Sequence, residues 1–345
     1  MLWEPRWADG NSQCTNPAGG VPAGERHFVP NTRLSRQSGA VRLVAALVLL
    51  AGGPSLHSEP LSKEPEEDLA APPLVTCKAW AVADGKTGNI LFSSNADRTL
   101  DIASTTKIMT AYVVLTLAES DSQVLDEVVV FSERADGTIG STAGVRTGER
   151  VSVRELLFGL LLPSGNDASV ALAEQFGDRF PLPAGEKDAD PLVRFVAQMN
   201  RTAKSLGMNN TTYRNPHGLT DPGHASTARD LITLTHAALR LGSFRHYVST
   251  RQHGCALLGP GGCKRNVVWK NTNRLLAREG YIGVKTGTTS AAGACLVSAG
   301  ERGDDTLIVV VLGSAVSQAR YTDSRNLFRW AWRQRGDGKS SAGSP

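Results

Sequence analysis

The chain has 345 residues, 41% of them hydrophobic and 20% charged, with a formal net charge of +4. This is an ordinary globular composition, long enough for one large domain or two small ones. The positive charge is small and spread out, with no basic block interleaved with aromatics, which argues against nucleic-acid binding.

Residues 1–42 have no hydrophobic periodicity and read as disordered. The apolar run 43–51, preceded by Arg33 and Arg36, has the basic, apolar and small-residue order of an export signal. It is shorter than the about 20 residues that a membrane-spanning helix needs. A buried core helix is the alternative. Residues 1–53 are therefore expected to be a leader with a signal or anchor segment, cleaved or kept as the only membrane tether. Residues 54–73, with Pro54, Pro60, Pro65, Pro72 and Pro73 among several glutamates, read as a linker.

Order is expected over 74–334. Residues 77–83 and 90–92 read as the strands of a hairpin around the turn residues 84–89. A helix opens at Ser104-Thr105-Thr106-Lys107 and carries Ile108, Met109, Val113 and Leu117. Short strands and turns fill 124–153. An apolar helix over 153–162 is broken at Pro163, and a second one restarts over 168–176 with Asn166 or Asp167 as cap. Residues 191–206 form an amphipathic helix ending at Gly207, and Ser226 is a cap candidate for a helix reaching Leu241. Strands are predicted over 281–289, 294–299 and 306–312; the last is a continuous apolar run that suits a strand covered on both faces. A closing helix over 321–333 and a disordered tail over 335–345 complete the chain. Strands at both ends and helices between them predict an α/β (α+β) fold. Its antiparallel sheet is flanked by helices, its first and last strands meet, and a helical subdomain is inserted.

None of Cys14, Cys77, Cys255, Cys263 and Cys295 forms a Cys-x-x-Cys pair, which argues against a zinc or thioredoxin-like site. In an oxidising compartment Cys255 and Cys263, joined by a Gly-rich loop, could pair; free thiols are the other reading. His217 and His224 read as structural hydrogen-bonders, because no carboxylate completes a metal-ligand spacing.

On a helix Ser104 and Lys107 share a face, so the hydroxyl and the amine should meet as a nucleophile with its base attached. The helix N-terminus would add free N–H groups suited to an oxyanion. By itself the Ser-x-x-Lys pattern fits an ordinary capped helix as well. Two later stretches change this: Ser164-Gly165-Asn166 between two helices, and Lys285-Thr286-Gly287 on a strand. These three motifs in this order, with Asp at the middle of the second where this chain has Gly165, mark penicillin-binding proteins and class A β-lactamases. Lys86-Thr87-Gly88 is a decoy, since it precedes the serine and lies in a turn; it is not a P-loop either, because Trp80 stands where that motif needs glycine.

The chain thus resembles the serine D-alanyl-D-alanine carboxypeptidases, the low-molecular-mass penicillin-binding proteins. The likeness runs from about Leu74 to Trp332 and takes in Ser141, the stretch 156–173, Asn215-Pro216-His217-Gly218-Leu219 and residues 224–230. It implies a β-lactamase/transpeptidase-like fold and an acyl-enzyme on Ser104. Lys107 would be the general base, its pKa lowered from about 10.4 by burial and by the Lys285 cation. Ser164 would relay the proton to the leaving amine, and Asn166 would hold Lys107 or the substrate amide. The N–H groups of Ser104 and Thr288 would form the oxyanion hole. Lys285, Thr286 and Gly287 would bind substrate, with Arg320 at the terminal carboxylate and Arg325 and Arg329 as competitors for that role.

No metal or organic cofactor is implied. The implied substrates are peptidoglycan stem pentapeptides ending in D-Ala-D-Ala, the implied inhibitors are β-lactams, and the implied location is the periplasm or the extracytoplasmic membrane face. Thr288 departs from relatives, which often carry His or an aromatic there. The chain ends soon after its last helix, so the β-rich second domain and C-terminal anchor of many relatives are expected to be lacking. A β-lactamase would need a separate deacylating base, and no Glu-x-x-Leu-Asn follows Ser164. A D,D-endopeptidase of cross-links is chemically adjacent. An inactive wall-binding protein is opposed by the intact Ser104, Lys107, Ser164, Asn166 and Lys285.

Overall fold

The computed structural model of the protein describes residues 71–341, so the expected leader and nearly all of the linker lie outside the described residues. In chain order the elements are β1 (Ala79–Asp84), β2 (Ile90–Ser94), α1 (Lys107–Ser120), β3 (Val128–Val130), α2 (Glu133–Asp136), β4 (Arg150–Ser152), α3 (Val153–Leu161), α4 (Asn166–Gly177) and α5 (Pro191–Ser205). There follow α6 (Ala228–Leu239), α7 (Gly242–Ser249), β5 (Gln252–Leu258), β6 (Lys264–Lys270), β7 (Tyr281–Thr289), β8 (Gly293–Arg302), β9 (Asp305–Ser314) and α8 (Ala319–Ser341).

The strands form a five-stranded sheet, ordered β2-β1-β9-β8-β7, and a four-stranded sheet, ordered β3-β4-β5-β6. All pairings are antiparallel. As expected, the first and last strands meet: β1 lies against β9 from Ala79↔Leu312 to Asp84↔Leu307. Side chains alternate faces along a strand. Leu307, Val309 and Val311 of β9 therefore pack under α8 against Leu327, Phe328 and Trp332. Ile308, Val310 and Leu312 face the core that holds the other helices. Both sets are fully buried, each large side chain contributing about 1.5–3 kcal/mol, so the run is apolar without interruption.

Helix α1 runs through that second core. Ile108, Met109, Ala111, Val113, Val114 and Leu115 are all buried, and α3, α4, α5, α6 and α7 surround it. A helix apolar on nearly every face belongs inside. Its first residue, Lys107, is thereby fixed in the interior. The edge strand β7 packs on the 3-10 turn Ala103–Thr106 that precedes α1.

Several expectations are corrected. Helix α8 continues to Ser341, across the start of the expected tail, and Arg335 ties it to Asp84 (2.7 Å) and Asp305 (3.0 Å). The polar, glycine-containing segment concealed those ion pairs. Cys255 is a free, buried thiol opposite Val267 in the middle of the β5–β6 hairpin, so the Cys255–Cys263 bridge does not form. Helix α4 already includes Asn166 and Asp167, with Gly165 at its cap position. The cap of α6 is Thr227, which accepts from the Asp230 N–H at 3.0 Å, while the Ser226 hydroxyl bonds Thr211 instead. Helix α7 and the β5–β6 hairpin were not anticipated at all.

Candidate active site

The turn Ala103–Thr106 is held by its own side chains. Thr105 Oγ1 donates to Ile102 O (2.7 Å), and Thr106 Oγ1 donates to Ala103 O (2.8 Å). Ala103, directly before the serine, has φ 48°, a left-handed conformation that costs a non-glycine residue about 1–3 kcal/mol. A buried network supports it. His224 Nδ1 accepts from the Arg214 N–H (3.0 Å), which leaves the proton on Nε2 to face Thr106 Oγ1 at 2.8 Å. Burial lowers the His224 pKa to about 4, so the ring is neutral in this role. The structural reading of His224 therefore stands. Ser104 stands not at the start of an α-helix but inside this 3-10 turn, where residues three apart eclipse and Ser104 still faces Lys107.

Lys107 is fully buried. Its Nζ lies 3.1 Å from Ser104 Oγ, 2.6 Å from Asn166 Oδ1 and 2.8 Å from the carbonyl oxygen of His217. Burial holds its pKa well below the ordinary lysine value, the Lys285 cation lowers it further, and Asp167 pulls the other way. The His217 carbonyl escaped the sequence reading, since a backbone acceptor leaves no residue-type signal.

Ser164 is buried between α3 and α4 with φ 70°, a second left-handed non-glycine residue at this site. Two residues on, Asn166 Nδ2 donates to Ile139 O (2.7 Å), and its N–H donates to Ser141 O (2.7 Å). The neighbouring Asp167 carboxylate accepts from the Ala143 N–H (2.8 Å) and from Thr142 Oγ1 (2.7 Å). It thus anchors the loop that Asn166 leans on, a part for which the sequence offered only a cap reading.

Strand β7 brings the third motif. Lys285 is buried and donates to Thr286 O at 3.1 Å; burial, then the Arg320 charge, lowers its pKa to about 7. Thr286 Oγ1 lies 2.8 Å from Thr272 Oγ1. At Gly287 a Cβ would stand 2.9 Å from the Ser104 nitrogen and 3.0 Å from Ile102 O, so only glycine lets the strand approach the serine turn. Arg320 Nη1 donates to Gly287 O (2.9 Å) and Thr288 Oγ1 (2.7 Å). Its competitors turn elsewhere: Arg325 bonds Thr322 and Arg329 bonds Asn326, both on their own helix. Among the described residues no cluster of three or more His, Cys, Asp or Glu is arranged to hold a metal ion.

A half-buried serine beside a lysine with a depressed pKa, flanked by the edge strand of an antiparallel sheet, defines an active-serine acyl-transfer enzyme. The family model of the D-alanyl-D-alanine carboxypeptidases, peptidase S11, matches residues 66–316, and the chain belongs to that family. It is 34% identical to the D-alanyl-D-alanine carboxypeptidase of Streptomyces sp. strain K15, over 84% of this chain and 98% of the relative. It is also 34% identical to DacC of Escherichia coli strain K12, over 77% of this chain but only 64% of that longer relative. Among solved structures, the Streptomyces K15 DD-transpeptidase matches with a TM-score of 0.70 at 33% identity, over 76% of this chain and 99% of the other. DacD from Francisella tularensis matches at 0.67 and 31% identity, over 76% and 71%.

Proposed function

We propose that this enzyme removes the terminal D-alanine from peptidoglycan stem peptides ending in D-Ala-D-Ala, through an acyl-enzyme on Ser104, and that penicillins acylate the same hydroxyl. The observation that carries the reading is the set of partners around Lys107. A neutral amine has two hydrogens and one lone pair. Asn166 Oδ1 and the His217 carbonyl are acceptors that take the two hydrogens, which leaves the lone pair to face the Ser104 hydroxyl. The depressed pKa supplies the neutral form.

Ser104 Oγ attacks the carbonyl of the penultimate D-alanine while its proton passes to Lys107 Nζ. The N–H groups of Ser104 and Thr288 receive the oxyanion; such a donor is typically worth about 2.7–4 kcal/mol. Collapse breaks the peptide bond, and the departing D-alanine amine takes a proton from Lys107 through the Ser164 hydroxyl. Water then attacks the ester, with Lys107 again accepting the proton, and Ser104 is regenerated. Lys285, Thr286 and Arg320 bind the terminal carboxylate. No step uses a metal or an organic cofactor, so activity is expected to survive chelators.

We further propose that the enzyme is exported by its leader and works outside the cytoplasmic membrane. Among the described residues no helix is long and apolar enough to cross a membrane. A second reading, transfer of the acyl group to an amine instead of water, is favoured by the near full-length match to a DD-transpeptidase. Mass spectrometry of a diacylated D-Ala-D-Ala peptide and of a cross-linked dimer, each incubated with and without an amino-acid acceptor, and of the protein after exposure to penicillin, tests these readings. Loss of one alanine supports the carboxypeptidase, and an acceptor adduct supports transfer. Cleavage only of a cross-linked dimer indicates an endopeptidase. An unchanged peptide with no penicillin adduct on the protein would overturn the enzyme reading.

A further inference from the structure

We propose that Thr272 is a positioning residue for carboxylate recognition: its hydroxyl donates to Thr286 Oγ1, which turns the Thr286 proton toward the ligand's terminal carboxylate. It thereby sets the preference for ligands that end in a free carboxylate. The inference rests on the reading that Thr286 meets that carboxylate.

Thr272 lies on the segment between β6 and β7 and is held by three parts of the site at once. Its N–H donates to Leu162 O (3.1 Å), just before Pro163 and Ser164. Its carbonyl accepts from Tyr321 OH (2.9 Å), the residue after Arg320. Its hydroxyl lies 2.8 Å from Thr286 Oγ1 on β7. The flanking residues are pinned as well: Asn271 Nδ2 donates to Thr250 O (3.0 Å), and Asn273 Oδ1 accepts from the Leu275 N–H (3.1 Å). The Thr272 side chain therefore has one fixed place from which to act.

A hydroxyl has one proton and two acceptor sites. If Thr286 donated to Thr272, its proton would point away from the cleft and its lone pairs would face an anion. If Thr272 donates to Thr286, the Thr286 proton is free for a charge-assisted bond to the carboxylate, and the donation it receives polarises it further. Thr272 makes no other side-chain hydrogen bond among the described residues, so nothing opposes that direction. A valine at 272 would remove the donor and keep both backbone links.

The test compares acylation rate constants for a penicillin and for its methyl ester, read by intact-protein mass spectrometry on Thr272→Val, Thr272→Ser and Thr286→Val. Comparing two ligands on one preparation cancels any loss of folded protein. Thr272→Val is expected to slow acylation by the carboxylate about 3- to 10-fold, the size of one lost net hydrogen bond, and to leave the ester within about twofold. Thr272→Ser should restore the wild-type ratio. An unchanged ratio in Thr272→Val with a reduced one in Thr286→Val overturns the role of Thr272 alone. An unchanged ratio in Thr286→Val overturns the carboxylate reading of Thr286 and this proposal with it. An equal loss for both ligands in Thr272→Val reduces Thr272 to a packing residue and also overturns it.

Discussion

Asn166 Oδ1 stands 2.6 Å from Lys107 Nζ, closer than the 3.1 Å between that nitrogen and Ser104 Oγ. Asn166 is itself held from behind by the Ile139 carbonyl. A neutral amide oxygen at this point accepts a hydrogen from the amine and favours its charged form only weakly. A carboxylate there would favour the charged lysine. Asn166→Asp is therefore expected to move the acidic limb of the acylation profile upward by at least about one pH unit. Acylation at pH 7 should slow at least about tenfold, as followed with a fluorescent penicillin from pH 5 to 10. A limb that stays in place would show that Asn166 does not govern the protonation of Lys107.

Ser104→Ala should abolish covalent labelling. Lys107→Ala should slow acylation by about 10²–10⁴-fold, the usual worth of a general base, with circular dichroism unchanged. Labelling of Lys107→Ala at the wild-type rate would assign proton removal to another group.

The pH dependence of kcat/KM should be bell-shaped. Falling pH protonates Lys107, whose pKa burial has lowered, and the base is lost. Rising pH through about 7 discharges Lys285 in the free enzyme, and the cation for the carboxylate is lost. The two groups interact, so the limbs belong to the pair. A bound carboxylate favours charged Lys285, so the basic limb of kcat should lie above that of kcat/KM. Coincident basic limbs for the two quantities would remove Lys285 from carboxylate binding.

Gly218 has φ 91°, and a Cβ there would fall 2.0 Å from Ala103 O. That atom is backbone and cannot step aside. Gly218→Ala should lower stability by about 3 kcal/mol or more in urea unfolding and should slow acylation by displacing the residue before Ser104. Gly287→Ala, with its Cβ 2.9 Å from the Ser104 nitrogen, should slow acylation with a smaller loss of stability. Wild-type acylation in both would mean that the serine turn tolerates movement.

Ile308 is fully buried on the helix-facing side of β9, remote in sequence from every motif. Ile308→Ala should cost about 2–5 kcal/mol in urea unfolding while the folded fraction acylates at the normal rate. Slowed acylation per folded molecule would couple this part of the core to the site.

Local periodicity and spacing disclosed a good part of this protein. The apolar run over 306–312 announces a strand covered on both faces because every position from Leu307 to Leu312 is shut off from water. Ser104 and Lys107 announced themselves because three residues of helical chain, α or 3-10, bring two side chains to one face. Weak local signals fail: glycine and polar residues give the tail the look of disorder and hide Arg335, whose partners Asp84 and Asp305 are distant in sequence. The β5–β6 hairpin lacks an alternating sequence pattern, because the inward His253 and Arg265 are polar and the outward Leu258 and Val268 are apolar, and its turn is longer than two residues.

Neighbours along the chain suffice to set which residue types the chemistry could use, the order of the three motifs and the strand–helix–strand succession. Packing alone sets the acceptors of Lys107, the bonds of Arg320 to Gly287 and Thr288 while Arg325 and Arg329 bond within their own helix, and the link of Thr272 to Thr286. Each of those depends on atoms far apart in sequence, and their distances exist only once both sheets and α1 have packed.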